Sequence, residues 1–488
     1  MKCAMNKQSA LIVAASLWFG LAMVRGESPA QSDGDSFVRV SPRDARYLEL
    51  SNGHPYVPIG LNMVHPDARD DDEAAGLKCM EDWFEKLSKN GGNYARIWLS
   101  AGFWDVEHER SGVYDEVRAK RIDALLAMAR QHGIRLKLCI EHFRSLDPKF
   151  QQTWASKPLH LVTNGGTATN TSDFMDGERS REQFKRKLAW FAKRFGDRPE
   201  IFGWELWNEV NCVNGGDVLA WTEMMLAELH RDFPKNLAMQ SLGSFDSYWG
   251  LKPYARLSTM SGNDVAQVHR YLDCGATYEV CHGPVDVLAA DAVRTILGYK
   301  PDHPVMLAES GAVEPRHAGP FKLYAKDTAG IILHDVLFAP FFTGAAGPGH
   351  CWHWNQYVAP NNLWNHFARF SAVVKDIDPP AENFQPTMLT HPRLRVYQLA
   401  GRHTLLLWCR DPQNTWQSEL ERGQTPETLT DQSLDLGPAL HGANPASVRI
   451  YDPWQDRWSD GALHDGKLTL PAFSRSIVVR VALKDAKK

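Results

Sequence analysis

Eight short runs rich in Val, Ile, Leu and aromatic residues, separated by stretches of helical periodicity, constrain this chain more than any other feature. They are VPIGLNM (57–63), NYARIWL (93–99), IRLKLCI (134–140), IFGWELW (201–207), LAMQSL (237–242), VAQVHRY (265–271), PVMLAES (304–310) and GHCWHW (349–354). Between them, Leu77, Met80, Phe84 and Leu87 recur at helical spacing, as do Ile122, Leu125, Leu126 and Ala129, and Phe184, Leu188, Phe191 and Phe195. Strands alternating with helices are joined by crossovers, which makes the sheet parallel. Eight such units predict an α/β chain folded as a closed (β/α)8 TIM barrel. A doubly wound open sheet is disfavoured, because GLNMVHP after the first run lacks the glycines that cradle a pyrophosphate.

Beyond DPPAENFQP, a proline-marked linker at 378–386, the pattern changes to short alternating runs: LRVYQL, TLLLWC, SVRIYDP, GKLTLPAF and RSIVVRVAL. These predict a small C-terminal antiparallel β-sandwich over 387–488, with the barrel and its lead-in strands at 35–377. The start of the chain reads differently. Lys2 and Lys7 flank an apolar run at 10–24 that suits a signal peptide, assigned to residues 1–26, with Ala30 an alternative cleavage point. The expected location is secreted or periplasmic, with no membrane span after cleavage. Export permits disulfides, and Cys274 with Cys281 is the expected pair, whereas Cys139 and Cys409 lie in apolar runs as small hydrophobes. The polar stretch at 159–178 is an insertion after the third strand, either shaping substrate access over the strand ends or forming a disordered surface loop; Asn170 opens a glycosylation sequon there.

With 54 basic and 58 acidic side chains and no long basic run, nucleic acid is excluded as a partner. Two of those acids stand out. Glu209 follows IFGWELWN and Glu309 ends PVMLAE, so both lie at the C-terminal ends of strands, where a barrel carries its active site. Their spacing places them on strands four and seven, across the mouth from one another. A facing carboxyl pair suits glycosidic bond cleavage, in which one acid protonates the leaving oxygen and the other, ionised, meets the oxocarbenium-like carbon. Arg96 supplies a fixed positive charge for the ionised member, and Asn208 offers an amide to a sugar hydroxyl. Glu205, four residues before Glu209, belongs lower in the barrel as a hydrogen-bonding residue.

These residues form an ordered set: Arg96 on strand two, WNE at 207–209, His269 and Tyr271 in VHRY, and Glu309 in LAESG. The set resembles the glycoside hydrolase clan A pattern, most closely family 5 enzymes of the cellulase and mannanase type, over about residues 55–375. The resemblance implies retention, with Glu209 as general acid/base and Glu309 as nucleophile. It further implies that Asn208 binds the sugar 2-hydroxyl, Tyr271 hydrogen-bonds the nucleophile and His269 lines the site beside the acid/base. His142, ending LKLCIEH, matches a strand-three histidine, and Trp352 or Trp354 is the sugar-stacking residue after strand eight. One departure is Val210, which stands where family 5 usually has proline.

Seventeen tryptophans fit a saccharide ligand, since flat rings cover the apolar faces of sugars; Trp98, Trp104, Trp154, Trp207 and Trp249 lie near strand ends, with Trp104 and Trp154 the favoured platforms. The expected activity is a retaining hydrolase of β-linked poly- or oligosaccharides, of β-mannan or β-glucan type, and its chemistry requires no metal or organic cofactor. A transglycosylase and a non-catalytic saccharide-binding protein are the alternatives. The HxxH of GHCWHWN has no carboxylate beside it in sequence, and His65 stands without the second histidine of a metal-dependent barrel hydrolase.

Overall fold

The structure, a computed structural model, describes residues 32–142, 159–440 and 445–484. The expected signal peptide and Trp154 lie outside these residues. Strands β1 (Val38–Val40), β2 (Leu48–Leu50) and β3 (Pro55–Tyr56) form an antiparallel lead-in sheet. Five parallel strands follow: β4 (Gly60–Asn62), β5 (Tyr94–Trp98), β6 (Arg135–Glu141), β7 (Ile201–Trp207) and β8 (Leu237–Met239), ordered as in sequence. A second parallel pair, β9 (Ala266–His269) and β10 (Val305–Glu309), continues beyond β8, to which it is tied by the amide of Asp264 donating to the Ala238 carbonyl.

Helices cross between these strands: α1 (Glu73–Lys89), α2 (Glu116–Gln131), α3 (Thr171–Asp176), α4 (Glu178–Phe195), α5 (Val218–Asp232), α6 (Leu251–Ser258), α7 (Val285–Gly298) and α8 (Ile331–Phe342). Aspartates start several of them. Asp72, Asp115 and Asp217 each accept backbone N–H groups of the first turn, which have no partner inside the helix. The apolar stripes expected from periodicity face inward: Met80, Phe84 and Leu87, then Ile122, Leu125, Leu126 and Ala129, then Phe184, Leu188, Phe191 and Phe195 are all buried, and only Leu77 is partly exposed. The polar stretch at 159–178 is ordered by α3, whose N-cap is the sequon residue Asn170, accepting from Asp173 N.

The parallel β/α class is as expected, but the eighth run is not a strand. Pro348 lacks a donor and lies between two glycines, so 346–352 runs irregularly. It still bonds on both sides: His350 N donates to Leu307 O, Ser310 N to His350 O, and Asn62 N to Cys351 O.

After α9 (Asn365–Val374), the expected linker contains a short helix, α10 (Pro379–Glu382), and leads directly into β11 (Gln385–Leu389). With β12 (Arg395–Ala400) and β13 (Thr404–Arg410) this begins a larger antiparallel sheet. Next come β14 (Thr428–Leu429), β15 (Ser433–Asp435), the short helix α11 (Gly437–Leu440), β16 (Pro445–Asp452), β17 (Arg457–Asp460), β18 (Leu463–His464), β19 (Lys467–Thr469), β20 (Phe473–Ser474) and β21 (Ser476–Leu483). The six-stranded order is β11-β12-β13-β21-β16-β17, and β14-β20 and β15-β19-β18 form two small sheets. One face of the large sheet, with Val396, Leu407, Cys409 and Val479, is buried together with Leu434, Leu468 and Phe473 of the small ones. The opposite face, with Tyr397, Leu406, Trp408 and Val478, joins the core that contains the parallel strands.

Cys274 and Cys281, expected to pair, are both free thiols: Cys281 is buried, whereas Cys274 is exposed. Among the described residues no helix is long and apolar enough to cross a membrane.

Candidate active site

The C-terminal ends of the parallel strands open into a cleft of about 790 Å3, lined by Trp98, Asn208, Glu209, Trp249, Tyr271, Glu309 and Trp352 among others. Strand register brings its polar floor together. Arg96 on β5 pairs with Asn62 on β4 and Lys137 on β6, Glu205 on β7 lies level with Cys139 and Met239, and Glu309 on β10 pairs with His269 on β9 across an irregularity in the ladder. Parallel neighbours in register point the same way, so these side chains converge.

Arg96 is the hub. Its Nε donates to Glu205 Oε2 at 2.7 Å and its Nη2 to Glu205 Oε1 at 2.9 Å and to Asn208 Oδ1 at 2.7 Å. Its Nη1 donates to Glu309 Oε1 and, at 3.3 Å, to Asn62 Oδ1. All five N–H groups of a buried guanidinium are thereby engaged. The second oxygen of Glu309 accepts from the Tyr271 hydroxyl at 2.7 Å.

Glu209 sits just past the end of β7 in the left-handed region, at φ 50° and ψ 53°. For a residue with a side chain this is costly, and it turns the carboxyl back over the strand ends. The turn is held by Glu209 N donating to Ser241 Oγ at 3.1 Å and Cys212 N to Glu209 O at 2.8 Å, while Asn208 N donates to Glu141 O at 2.7 Å. Glu209 Oε1 lies 2.8 Å from His269 Nδ1, and one oxygen each of Glu209 and Glu309 lie within 4.8 Å of each other.

The electrostatics separate the two acids. Burial, reinforced by the nearby Glu309 charge, pushes the Glu209 carboxyl well above the ordinary carboxylate range. Burial also pushes Glu309 up, but Arg96 and the Tyr271 hydroxyl oppose the rise, so Glu209 is the member that keeps a proton. Burial and the adjacent cations hold His269 neutral, its affinity for a proton falling well below the usual histidine range. Glu205 is fully buried; desolvation would raise it, yet Arg96 and Lys137 keep it below the usual carboxylate range.

The structure thus gathers Arg96, Asn208, Glu209, His269, Tyr271, Glu309 and Trp352 around one cleft. Two expected residues fall elsewhere. His142 is buried beside the cleft, stacked on Trp98 at 4.8 Å between ring centres, with Nδ1 2.6 Å from Ser100 Oγ. Trp354 is buried against the edges of His65 and Trp352 and does not line the cleft. Of the proposed platforms, Trp104 and Trp207 are core residues, whereas Trp249 is 42% exposed at the cleft rim. The HxxH histidines have structural partners: His350 Nε2 lies 3.0 Å from Pro58 O and His353 Nδ1 3.0 Å from the Tyr324 hydroxyl, and burial pulls both down to about 3.

Sequence reasoning missed Lys137, Asn62 and Ser241. The available signal was a polar side chain inside an otherwise apolar strand run, as in IRLKLCI and GLNM. Three carboxylate and histidine groups among the described residues converge closely enough to hold a cation: Glu209, His269 and Glu309; Asp246, Asp273 and His317; and Glu107, Glu141 and His160. In the last, the Lys187 ammonium already bridges Glu107 and Glu141.

Parallel strands wrapped by helices, with two carboxyl groups of opposite tendency facing one another at the strand ends, suit the chemistry of glycosidic bond cleavage. Comparison with known proteins agrees. The chain is 31% identical over 218 residues to mannan endo-1,4-beta-mannosidase 3 of rice, covering 39% of this chain and 45% of the relative. It is 29% identical over 217 residues to the rice mannosidase 4, covering 39% and 46%. The chain therefore spans about half the length of these curated relatives. No protein-family model matches it. Its fold is like that of a family 5 glycoside hydrolase from Bacteroides vulgatus, with a TM-score of 0.56 at 13% identity, covering 92% of this chain and 93% of the other. The chain is thus similar in sequence to mannan endo-1,4-beta-mannosidases over part of its length and in fold to a family 5 glycoside hydrolase.

Proposed function

We propose that this protein is an exported retaining glycoside hydrolase acting on β-linked mannan, with Glu309 as nucleophile and Glu209 as acid/base. The observation that carries the reading is the facing pair itself, within 4.8 Å at their nearest ligand oxygens, one anion supported by Arg96 and Tyr271 and one acid raised by burial. Retaining enzymes hold their carboxyl groups about 5 to 5.5 Å apart, whereas inverting ones leave room for a water at about 6.5 Å or more. The short spacing therefore supports double displacement. The two parallel arcs and the segment at 346–352 are read as one closed (β/α)8 barrel, the residues from 387 onward as a β-sandwich, and 1–26 as the export signal.

In the first step Glu309 attacks the anomeric carbon as the glycosidic bond breaks, and the Glu209 proton passes to the departing oxygen. In the second, Glu209 takes a proton from water, whose oxygen displaces Glu309 from the anomeric carbon and returns the nucleophile as a carboxylate. The Asn208 amide, its oxygen bound to Arg96, is available to a sugar hydroxyl next to the reacting carbon. The names of the rice relatives support mannan as the polymer.

The test is hydrolysis of β-1,4-mannan, β-glucan, xylan and aryl glycosides, with the anomeric configuration of the first product read by NMR. Mannan cleavage with retention is expected, and Glu309→Gln should lower the rate by about 10³-fold or more. Initial formation of the opposite anomer, or full activity in Glu309→Gln, overturns the assignment.

A further inference from the structure

Below the cleft lies a buried charged group that the chemistry above leaves without a role. Lys137 projects from the middle of β6 and is fully buried. Its ammonium donates to Gln267 Oε1 on β9 and stands 3.5 Å from Glu205 Oε2 on β7, the carboxylate that Arg96 grips with two N–H groups. The floor thus contains two cations, Arg96 and Lys137, and two carboxylates, Glu205 and Glu309. The other titratable groups nearby carry no charge in the resting state: Glu209 retains its proton, His269 and His350 are neutral, and Cys139, on the same strand as Lys137, is held as a thiol by burial. Arg96 alone faces two anions.

We propose that Lys137 is a positioning residue for the nucleophile: its ammonium is the second counter-ion of Glu205, and this leaves the Arg96 guanidinium to hold Glu309 as an anion. An uncompensated carboxylate in a dry interior takes up a proton, so removing one of two cations transfers the deficit to whichever acid is less well bonded. Glu205 has two donors from Arg96; Glu309 has one from Arg96 and one from Tyr271. The deficit therefore falls on Glu309. Burial, then repulsion from Arg96, lowers Lys137 to about 8 against the pull of Glu205, so the ammonium remains charged through the acidic and neutral range in which Glu309 has to ionise.

The consequence for catalysis rests on the retaining-hydrolase reading, whereas the charge pairing is measurable without a substrate. In protein labelled with δ-13C glutamate, the Glu309 resonance is identified by its loss in Glu309→Gln and titrated by NMR. Lys137→Met should raise its midpoint by about one pH unit and move the acidic limb of kcat/KM on β-1,4-mannan up by the same amount, with KM little changed. Lys137→Met combined with Glu205→Gln removes one charge of each sign and should return the midpoint toward wild type. Glu205→Gln alone, which keeps both cations and provides a second probe if Lys137→Met does not fold, should move it down. Midpoints that stay put in the folded variants, or a double variant no nearer to wild type than Lys137→Met, overturn the pairing. A chain that titrates as expected but cleaves no glycan instead refutes the hydrolase reading.

Discussion

Glu209 and Glu309 are the same residue type in one cleft, and their environments give them different affinities for a proton. Glu209 has a neutral histidine and an anionic neighbour, whereas Glu309 has a guanidinium and a hydroxyl. The expected pH profile follows from the signs. Activity rises as Glu309 loses its proton and falls at higher pH, as Glu209, raised by burial and by Glu309, loses its own. In Glu209→Gln the alkaline limb should vanish, with the loss in rate greatest for poor leaving groups, as measured on a series of aryl glycosides. At the rim, Trp249 offers an exposed ring within the same cleft. Trp249→Ala should raise KM for polymeric mannan by about fivefold while leaving a short aryl glycoside nearly unaffected, since one aromatic stack is worth about 1 kcal/mol.

Strands and their turns carry the second level of the design. Identity and order of the strand-end motifs were legible because β5, β7, β9 and β10 each place a polar residue at a fixed point of an apolar run. The eighth run departs from expectation: its aromatic residues predict a strand, but the Gly347-Pro348-Gly349 sequence that leads into it cannot supply a regular ladder. Trp352 and Trp354 illustrate the same limit, since only the conformation of that run decides which ring reaches the cleft. Close approach of β4 to β5 depends on Gly60, where an added Cβ would collide with the Tyr94 backbone carbonyl. Gly60→Ala should cost about 3 kcal/mol, measured as a lowered urea midpoint, because neither strand can yield without disturbing Asn62 and Arg96.

For the molecule as a whole, α8 explains how the C-terminal sheet is joined to the parallel β/α body. Every residue of this helix is buried, so it has no polar stripe, in keeping with a helix enclosed on all sides. Its Asp335 meets Arg410 of β13 in a buried pair, with Nε to Oδ1 at 2.9 Å and Nη2 to Oδ2 at 3.1 Å, and Asp286 of α7 accepts from Arg395 and Tyr397. Arg410→Met leaves Asp335 buried without its counter-ion and should cost about 3 to 5 kcal/mol, observed by calorimetry as a lower Tm for the parallel β/α body and the C-terminal sheet together. Independent melting of the two parts, with the β/α body unaffected, would argue against this coupling. Hydrophobic periodicity and the order of polar strand-end residues are local properties, so the β/α class, the inward helix stripes and the Glu209 and Glu309 pair were readable from the chain alone. The charge balance among Arg96, Lys137, Glu205 and Glu309, the left-handed turn at Glu209, the free Cys274 and Cys281 and the choice of cleft-lining tryptophan depend on groups far apart in sequence. Those features were settled by register and burial, because electrostatic and steric energies act between neighbours in space.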